Sequence, residues 1–372
     1  MVTVHWKIHK LPKSIYQALR LYFQRCCLFF RSLTYNHFMD RNYAADVCME
    51  PMFWFVDNFT NAIGPFFVVI IIALTASVVI IAYVIGLPYW WNRNPVACII
   101  LVIIGNWLLL NISFHYYMAI VTPPGYPPQG ELITEAVSIC KKCISPKPPR
   151  THHCSVCNKC ILKMDHHCPW LNNCVGYNNH RFFFLYMVYM VAGVLFLILA
   201  GFELAYRDLW VAISQDEDPE LEGHPVKFNK TGAIVPVTDI LYLDIALEDN
   251  LNDSIEFVSP WRKGALTYMA LINCAVFIAL SGLASWHGRL IGKGETSIEA
   301  NINKAETERL AKLGKVYVNP YNFGSRKNWR IFLGLIQGRS WIRHILLPST
   351  HGPVGDGLTW HTIHDDSADE WP

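Results

Sequence analysis

Seven of the chain's 12 cysteines stand between Cys140 and Cys174, in the stretch CKKCISPKPPRTHHCSVCNKCILKMDHHCPWLNNC. Three Cys-x2-Cys pairs recur there: Cys140/Cys143, Cys154/Cys157 and Cys157/Cys160. A two-residue spacing lets both sulfurs of a tight turn reach one metal at about 2.3 Å. Pairs interleaved with histidines suit reduced thiolates around zinc better than a disulfide framework, which needs an oxidising compartment. The stretch offers seven cysteines and four histidines, His152, His153, His166 and His167. Two closed tetrahedral sites take eight ligands. Six cysteines and two histidines fill them, and one cysteine is left over.

Counting does not say which cysteine that is. Cys168 lies in Asp165-His166-His167-Cys168-Pro169-Trp170. A histidine two residues from a cysteine reaches it in a turn and takes its proton, and a carboxylate beside that histidine fixes its tautomer and stabilises the imidazolium. This is how a nucleophilic thiol is activated. Two other readings stay open on spacing alone: Cys168 as a redundant ninth ligand, or the whole block as a membrane-anchored structural zinc scaffold without catalysis.

The elements that carry this block are apolar. The composition is 52% hydrophobic, 13% aromatic and only 16% charged, against about a quarter charged in soluble domains. Four runs exceed the roughly 20 residues that cross a hydrocarbon core: about 66–87, 95–120, 182–204 and 265–286. They predict an all-α polytopic membrane protein with four transmembrane helices and the cysteine-rich block between the second and third. The expected segments are 1–65 N-terminal, 66–120 spans one and two, 121–181 the zinc domain, 182–204 span three, 205–264 a loop, 265–286 span four, and 287–372 C-terminal.

Lys and Arg collect on the cytosolic side. Segment 1–61 holds seven, loop 121–181 seven and the tail after His287 eleven, whereas loop 205–264 holds five against twelve acidic residues. The termini and the cysteine-rich loop therefore read as cytosolic and loop 205–264 as luminal. Two triplets in that loop, Asn229-Lys230-Thr231 and Asn252-Asp253-Ser254, are glycosylation acceptors on that side. Residues 14–33, basic and aromatic, read either as an interfacial helix or as a poorly ordered tail. No internal repeat or low-complexity tract is evident. A net charge of +2 gives no reason to expect a nucleic-acid partner. The spans carry few polar residues, mainly Asn106, Asn111 and Asn273, which argues against a metal transporter.

The block resembles the DHHC family of protein S-acyltransferases. The resemblance extends to Thr122-Pro123-Pro124-Gly125 after the second span and to Thr296-Ser297-Ile298-Glu299 after the fourth. The latter is similar to the family's Thr-Thr-x-Glu element, with a serine that keeps the second hydroxyl. Asn319-Pro320-Tyr321-Asn322-Phe323-Gly324 and Asn328-Trp329 resemble the family's C-terminal asparagine-aromatic motif. The resemblance implies that Cys168 is the acylated nucleophile, His166 its general base and Asp165 the orienting carboxylate. It implies two structural zinc ions, one on Cys140, Cys143, His153 and Cys160, the other on Cys154, Cys157, His167 and Cys174. It further implies palmitoyl-CoA as acyl donor, proteins with membrane-proximal cytosolic cysteines as acceptors, and an endoplasmic reticulum or Golgi membrane as location. Lys142, Arg150, Lys163 and Arg181 are candidates to pair with CoA phosphates. Gly193, on the third span, reads either as room for a long acyl chain or as a helix-packing glycine.

Overall fold

The computed structural model describes residues 13–35, 41–128, 136–211, 227–228, 234–235, 260–336 and 338–365. The two glycosylation triplets and the acidic cluster of loop 205–264 lie outside the described residues. The chain divides into two compact units, residues 1–62 and 63–372. The first contains helix α1, Lys13–Tyr35, whose sequence carries basic residues and no acidic one, and the start of α2, Arg41–Ile81.

Among the described residues four helices are long and apolar enough to cross a membrane: Ala62–Arg93, Pro95–Val121, His180–Asp208 and Trp261–Gly292. The first is α2 continued through a π-helical turn, Ala82–Gly86, into α3, Leu87–Arg93. It reverses at Asn94, whose side chain accepts the Ala97 N–H at 3.1 Å. Pro95 follows at the first position of α4, Pro95–Val121, where a missing N–H costs nothing. The third span is α5, His180–Ala205, and the fourth is α6, Pro260–Gly292. α5 packs on both α4 and α6 and is the most buried of the four. Gly193 faces α4 so closely that a Cβ would meet Ile112 Cδ1 at 2.9 Å, which is the packing role of a small residue between apolar helices.

Between α4 and α5 the chain leaves the helical pattern for three two-stranded antiparallel hairpins. β1 (Ser138–Cys140) pairs β2 (Ser145–Lys147), β3 (His152–Cys154) pairs β4 (Lys159–Ile161), and β5 (His166–Cys168) pairs β6 (Asn173–Val175). Their registers coincide: Cys140 faces Ser145, Cys154 faces Lys159 and Cys168 faces Asn173. The turns coincide too, since Ile144, Asn158 and Asn172 all adopt left-handed backbone, with φ of 51°, 52° and 49°. An internal repeat of 14 residues is thus present, contrary to the reading of the sequence. It escapes notice because its third copy has Leu171 where the first two have Cys143 and Cys157.

The hairpins are not separate from the membrane helices. Cys168, Leu171 and Val175 join one buried cluster with Leu108, Ile112 and Tyr116 of α4, residues Phe182 to Met187 of α5, and Ile291 of α6. The third hairpin therefore sits on the ends of the spans. Asn173 fixes it there, donating to the carbonyls of Ile120 and Thr122 at 3.0 Å each. Asn179, fully buried, donates to Cys174 O at 2.8 Å.

Beyond α6 the chain turns at Gly294 (φ 70°), where a Cβ would collide with the Tyr321 carbonyl. It then enters α7, Ser297–Ala311. Thr296 and Glu299 form a reciprocal capping box at its start, the signature that Ser/Thr-x-x-Glu gives a helix N-terminus. The same Glu299 carboxylate takes both Nε and Nη2 of Arg150, each at 2.6 Å. Arg150 also donates to Gly294 O at 2.9 Å and lies over the Tyr321 and Trp360 rings at 4.4 and 4.6 Å. α8, Ser325–Phe332, is tied to α6 by Asn328, which donates to Gly292 O at 2.8 Å. The tail then runs back along the spans. Ile345 and Leu346 carbonyls accept from Tyr189 Oη at 2.6 Å and Trp107 Nε1 at 2.9 Å.

The Arg150–Glu299 pair is buried on both sides, and breaking such a pair strands a charge away from water. Glu299→Gln is expected to cost roughly 3–5 kcal/mol, visible as a lowered thermal midpoint of the detergent-solubilised protein.

Candidate active site and metal centres

The repeat explains how the donors gather. Cys140 and Cys143, from the first hairpin, meet His153 and Cys160 of the second; Cys154 and Cys157, from the second, meet His167 and Cys174 of the third. Each turn is closed by a histidine and a cysteine of the next hairpin. In the first group the His153 Nδ1 lies 3.7 Å from Cys140 Sγ, 3.2 Å from Cys143 Sγ and 4.0 Å from Cys160 Sγ. In the second, His167 Nδ1 lies 3.8, 3.3 and 3.5 Å from the sulfurs of Cys154, Cys157 and Cys174. A tetrahedron with Zn–S near 2.3 Å and Zn–N near 2.0 Å has edges of about 3.5–3.8 Å, so both groups fit a zinc ion. The Cys143 and Cys157 amides point at the sulfurs of Cys140 and Cys154, at 3.4 and 3.3 Å, which favours the thiolates a metal requires. The left-handed Ile144, a β-branched residue, is strained by an estimated 1–2 kcal/mol and is retained where the turn wraps a donor pair.

Cys168 occupies the first donor position of the third hairpin, the place of Cys140 and Cys154. Leu171 supplies no second sulfur, and α5 follows in place of a fourth copy of the repeat. The residues one repeat beyond His167 and Cys174 are Arg181 and Val188, on α5. Among the described residues Cys168 belongs to neither four-donor group.

Cys168 instead stands two residues after His166 on β5, on the same face of the strand. His166 Nδ1 donates to Asp165 Oδ2 at 2.6 Å. Asp165 is fully buried and receives the Ser297 N–H on Oδ1 at 2.8 Å, while its backbone carbonyl accepts from Ser297 Oγ at 2.6 Å. The N-terminus of α7 thus aims an amide at the carboxylate, where helix polarity favours negative charge. Burial alone would raise the Asp165 pKa, but the His180, His166 and His287 imidazoles outweigh it and hold the carboxyl below its usual range. For His166, burial opposes charge, but the Asp165 hydrogen bond and Cys168 push its pKa up to about 9. The arrangement favours an imidazolium at His166. Asp165, His166 and His287 also form a three-donor group, but the 2.6 Å Asp165–His166 contact is a hydrogen bond with no room for a cation between them.

The four basic candidates are distributed differently. Arg150 and Lys163 line one cleft together with Tyr321, Asn328 and Trp360, and Lys163 and Arg181 line the next. Lys142 is exposed on the first turn and lines neither. Arg150 is engaged by Glu299, and Arg181 Nη2 donates to Ser349 O and His351 O at 3.2 and 2.6 Å. Lys163 lies 5.3 Å over the Trp360 ring. Desolvation, assisted by the Arg150 charge, lowers its pKa to about 7. Among the described residues it makes no ion pair.

Reasoning from sequence missed His180, His287 and the buried His115, which lie inside or at the ends of the spans. The available signal was that an ionisable residue in an apolar run is uncommon and functional by default; attention to the asparagines alone passed it over.

The metal geometry generates a direct expectation. The wild-type chain should contain two zinc ions by elemental mass spectrometry, and Cys143→Ala should lose the first. Apparent binding free energies of structural zinc are around 10–16 kcal/mol, so that variant should also become protease-sensitive across 136–165.

With this geometry in hand, similarity to known proteins is specific. Residues 133–304 match the family described as DHHC palmitoyltransferase. Palmitoyltransferase ZDHHC16 of Homo sapiens is 43% identical over 90% of this chain and 85% of that protein. Palmitoyltransferase ZDHHC16A of Danio rerio is 41% identical over 92% of this chain and 90% of its own. Probable protein S-acyltransferase 16 of Arabidopsis thaliana is 28% identical over 62% of this chain and 64% of its own. Within the family the stretches TPPGYPPQG and GETSIEANINK are most like Abl-philin 2, another name of ZDHHC16. The chain belongs to the DHHC palmitoyltransferases, as a protein-cysteine S-palmitoyltransferase.

Proposed function

We propose that the chain transfers a long-chain acyl group, palmitoyl in the first instance, from acyl-CoA to protein cysteines through a thioester on Cys168. The supporting observation is a thiol outside both four-donor groups, on the same face of β5 as His166 and embedded in the same apolar cluster as the spans. A sulfur in that cluster, at the ends of the spans, suits a donor whose acyl chain dissolves in the membrane and whose charged headgroup stays outside it.

In the first step His166 takes the Cys168 proton and the thiolate attacks the acyl-CoA carbonyl. The C–S bond to CoA breaks, and the departing CoA thiolate takes the proton from the imidazolium. In the second, His166 receives the proton of a substrate cysteine. That sulfur attacks the acyl-enzyme carbonyl, and Cys168 leaves as thiolate and is reprotonated. Asp165 keeps Nδ1 of His166 protonated, leaving Nε2 to exchange the thiol proton. The zinc ions, with four protein ligands each, supply structure and no open coordination position. Lys142, Arg150, Lys163 and Arg181 give this face the charge that CoA phosphates need, and of the four only Arg150 is paired with a carboxylate, that of Glu299.

The site must then face the cytosol, where acyl-CoA is dissolved. That agrees with the Lys/Arg excess of segments 1–65, 121–181 and 287–372 and the acidic excess of 205–264. An endoplasmic reticulum or Golgi membrane fits, with acceptor proteins presenting cysteines close to the bilayer on that side.

Cys168→Ser should keep two zinc ions and form no hydroxylamine-labile adduct with labelled palmitoyl-CoA. His166→Ala should slow acylation by roughly 10²–10⁴-fold. Loss of zinc from the Cys168 variant would make that sulfur a ligand and leave a zinc scaffold as the better reading.

A further inference from the structure

The Asp165 carboxylate has two lone-pair positions on each oxygen. Oδ2 accepts from His166 Nδ1 at 2.6 Å and Oδ1 from the Ser297 N–H at 2.8 Å. The remaining positions are each faced by an imidazole from a span, just beyond bonding distance. His287 Nδ1 stands 3.9 Å from Oδ2, and His180 Nε2 stands 4.0 Å from Oδ1.

His287 is the more informative of the two. It lies one turn before the end of α6 and is 2% exposed. Its Nδ1 is buried and has no hydrogen-bond partner, whereas buried polar atoms are nearly always paired. A carboxylate only accepts, so Nδ1 facing it carries the hydrogen. The His287 ring also packs edge-on against Phe183, centroids 5.3 Å apart, and lies 5.8 Å from the His166 ring. Phe183 meets His166 at 5.1 Å. The His166 ring is therefore held in a slot whose walls are Phe183 and His287.

We propose that His287 is a positioning residue for acyl transfer: it donates from Nδ1 to the second lone pair of Asp165 Oδ2, closing a gap of about 1 Å when the site is engaged. The inference rests on the reading of Cys168 as nucleophile and His166 as its base. The physical need is rotational. The terminal torsion of an aspartate is broad and roughly two-fold, and with one donor per oxygen the carboxylate can swing Oδ2 away from His166. A second donor on Oδ2 removes that freedom. His287 and Ser297 both belong to the α6–α7 corner, so one stretch of chain grips both oxygens and links the fourth span to the orientation of the base.

The test compares His287→Phe, which keeps an aromatic ring but no donor, with His287→Asn, whose amide N sits near the Nδ1 position. Single-turnover acylation of the full-length purified protein by palmitoyl-CoA is measured with zinc content and thermal midpoint. The Phe variant should acylate roughly 10–100-fold more slowly, with half-saturating palmitoyl-CoA and two zinc ions unchanged, and the Asn variant should recover most of the rate. A wild-type rate in His287→Phe, an Asn variant no faster than Phe, or a rate loss that tracks lost zinc would overturn the proposal. Mapping the wild-type thioester to a residue other than Cys168 would overturn the underlying reading instead, whatever the two variants do.

Discussion

Coordination of zinc by eight side chains is the constraint on which the hairpin half of this design rests. Three hairpins of three-residue strands bury too little apolar surface to balance the conformational entropy of ordering them; small folds of this size need disulfides or metal. The apolar cluster between the second and third hairpins is correspondingly small, with Ile161 and Met164 beside cysteines that are themselves donors. Metal bonds therefore take the place of a core. Because each turn borrows its closing histidine and cysteine from the next hairpin, the sites link the three into one body. The last hairpin, anchored by Asn173 and by the cluster that contains Cys168 and Val175, passes that rigidity to the ends of the spans.

A second set of interactions closes the same body from the C-terminal side. The start of α7 does two jobs within four residues. Ser297 grips Asp165 through both backbone and side chain, and Glu299 caps the helix while neutralising Arg150. Arg150 in turn lies over both the Tyr321 and the Trp360 ring, so residues on either side of α8 feel the position of the zinc domain. This explains why a Thr-Ser-Ile-Glu tetrapeptide far from the cysteines in sequence belongs to the site in space. Serine at position 297 suffices because the contact uses a hydroxyl and an amide, and no methyl is called for.

The four spans and the eight metal donors were legible in the sequence because their signals are local: a run of apolar residues about 20 long, or a cysteine pair two residues apart. Which sulfur stays free was not, since that depends on which hairpin closes which turn. The 14-residue period would have supplied the answer, but it is carried by only a few positions per copy and is broken at Leu171. Arg150 illustrates the other limit. A basic residue beside a metal block reads as a phosphate ligand until a carboxylate 149 positions away is found on it. His180 and His287 were hidden for a related reason. Each stands alone at the end of an apolar run, and only the assembled helices show that both point toward one aspartate.

The degenerate third hairpin gives the chemistry its physical logic. A nucleophilic thiol needs fixed backbone, a nearby base and freedom from metal, and the first and last demands conflict in a domain held together by cysteine–zinc bonds. Replacing the second turn cysteine by Leu171 separates them. Cys168 keeps the backbone geometry of a zinc ligand, with the same strand register and the same left-handed residue four positions on, yet loses the partner that would hold a metal. Leu171, 1% exposed, fills the space with apolar contact to the spans and seats the hairpin at the membrane boundary. His166 and His167 then diverge because neighbouring strand residues face opposite ways. One imidazole turns to the second metal group and the other to Asp165. In the proposed mechanism the alternation of a single β-strand thus divides scaffold from catalysis between adjacent histidines.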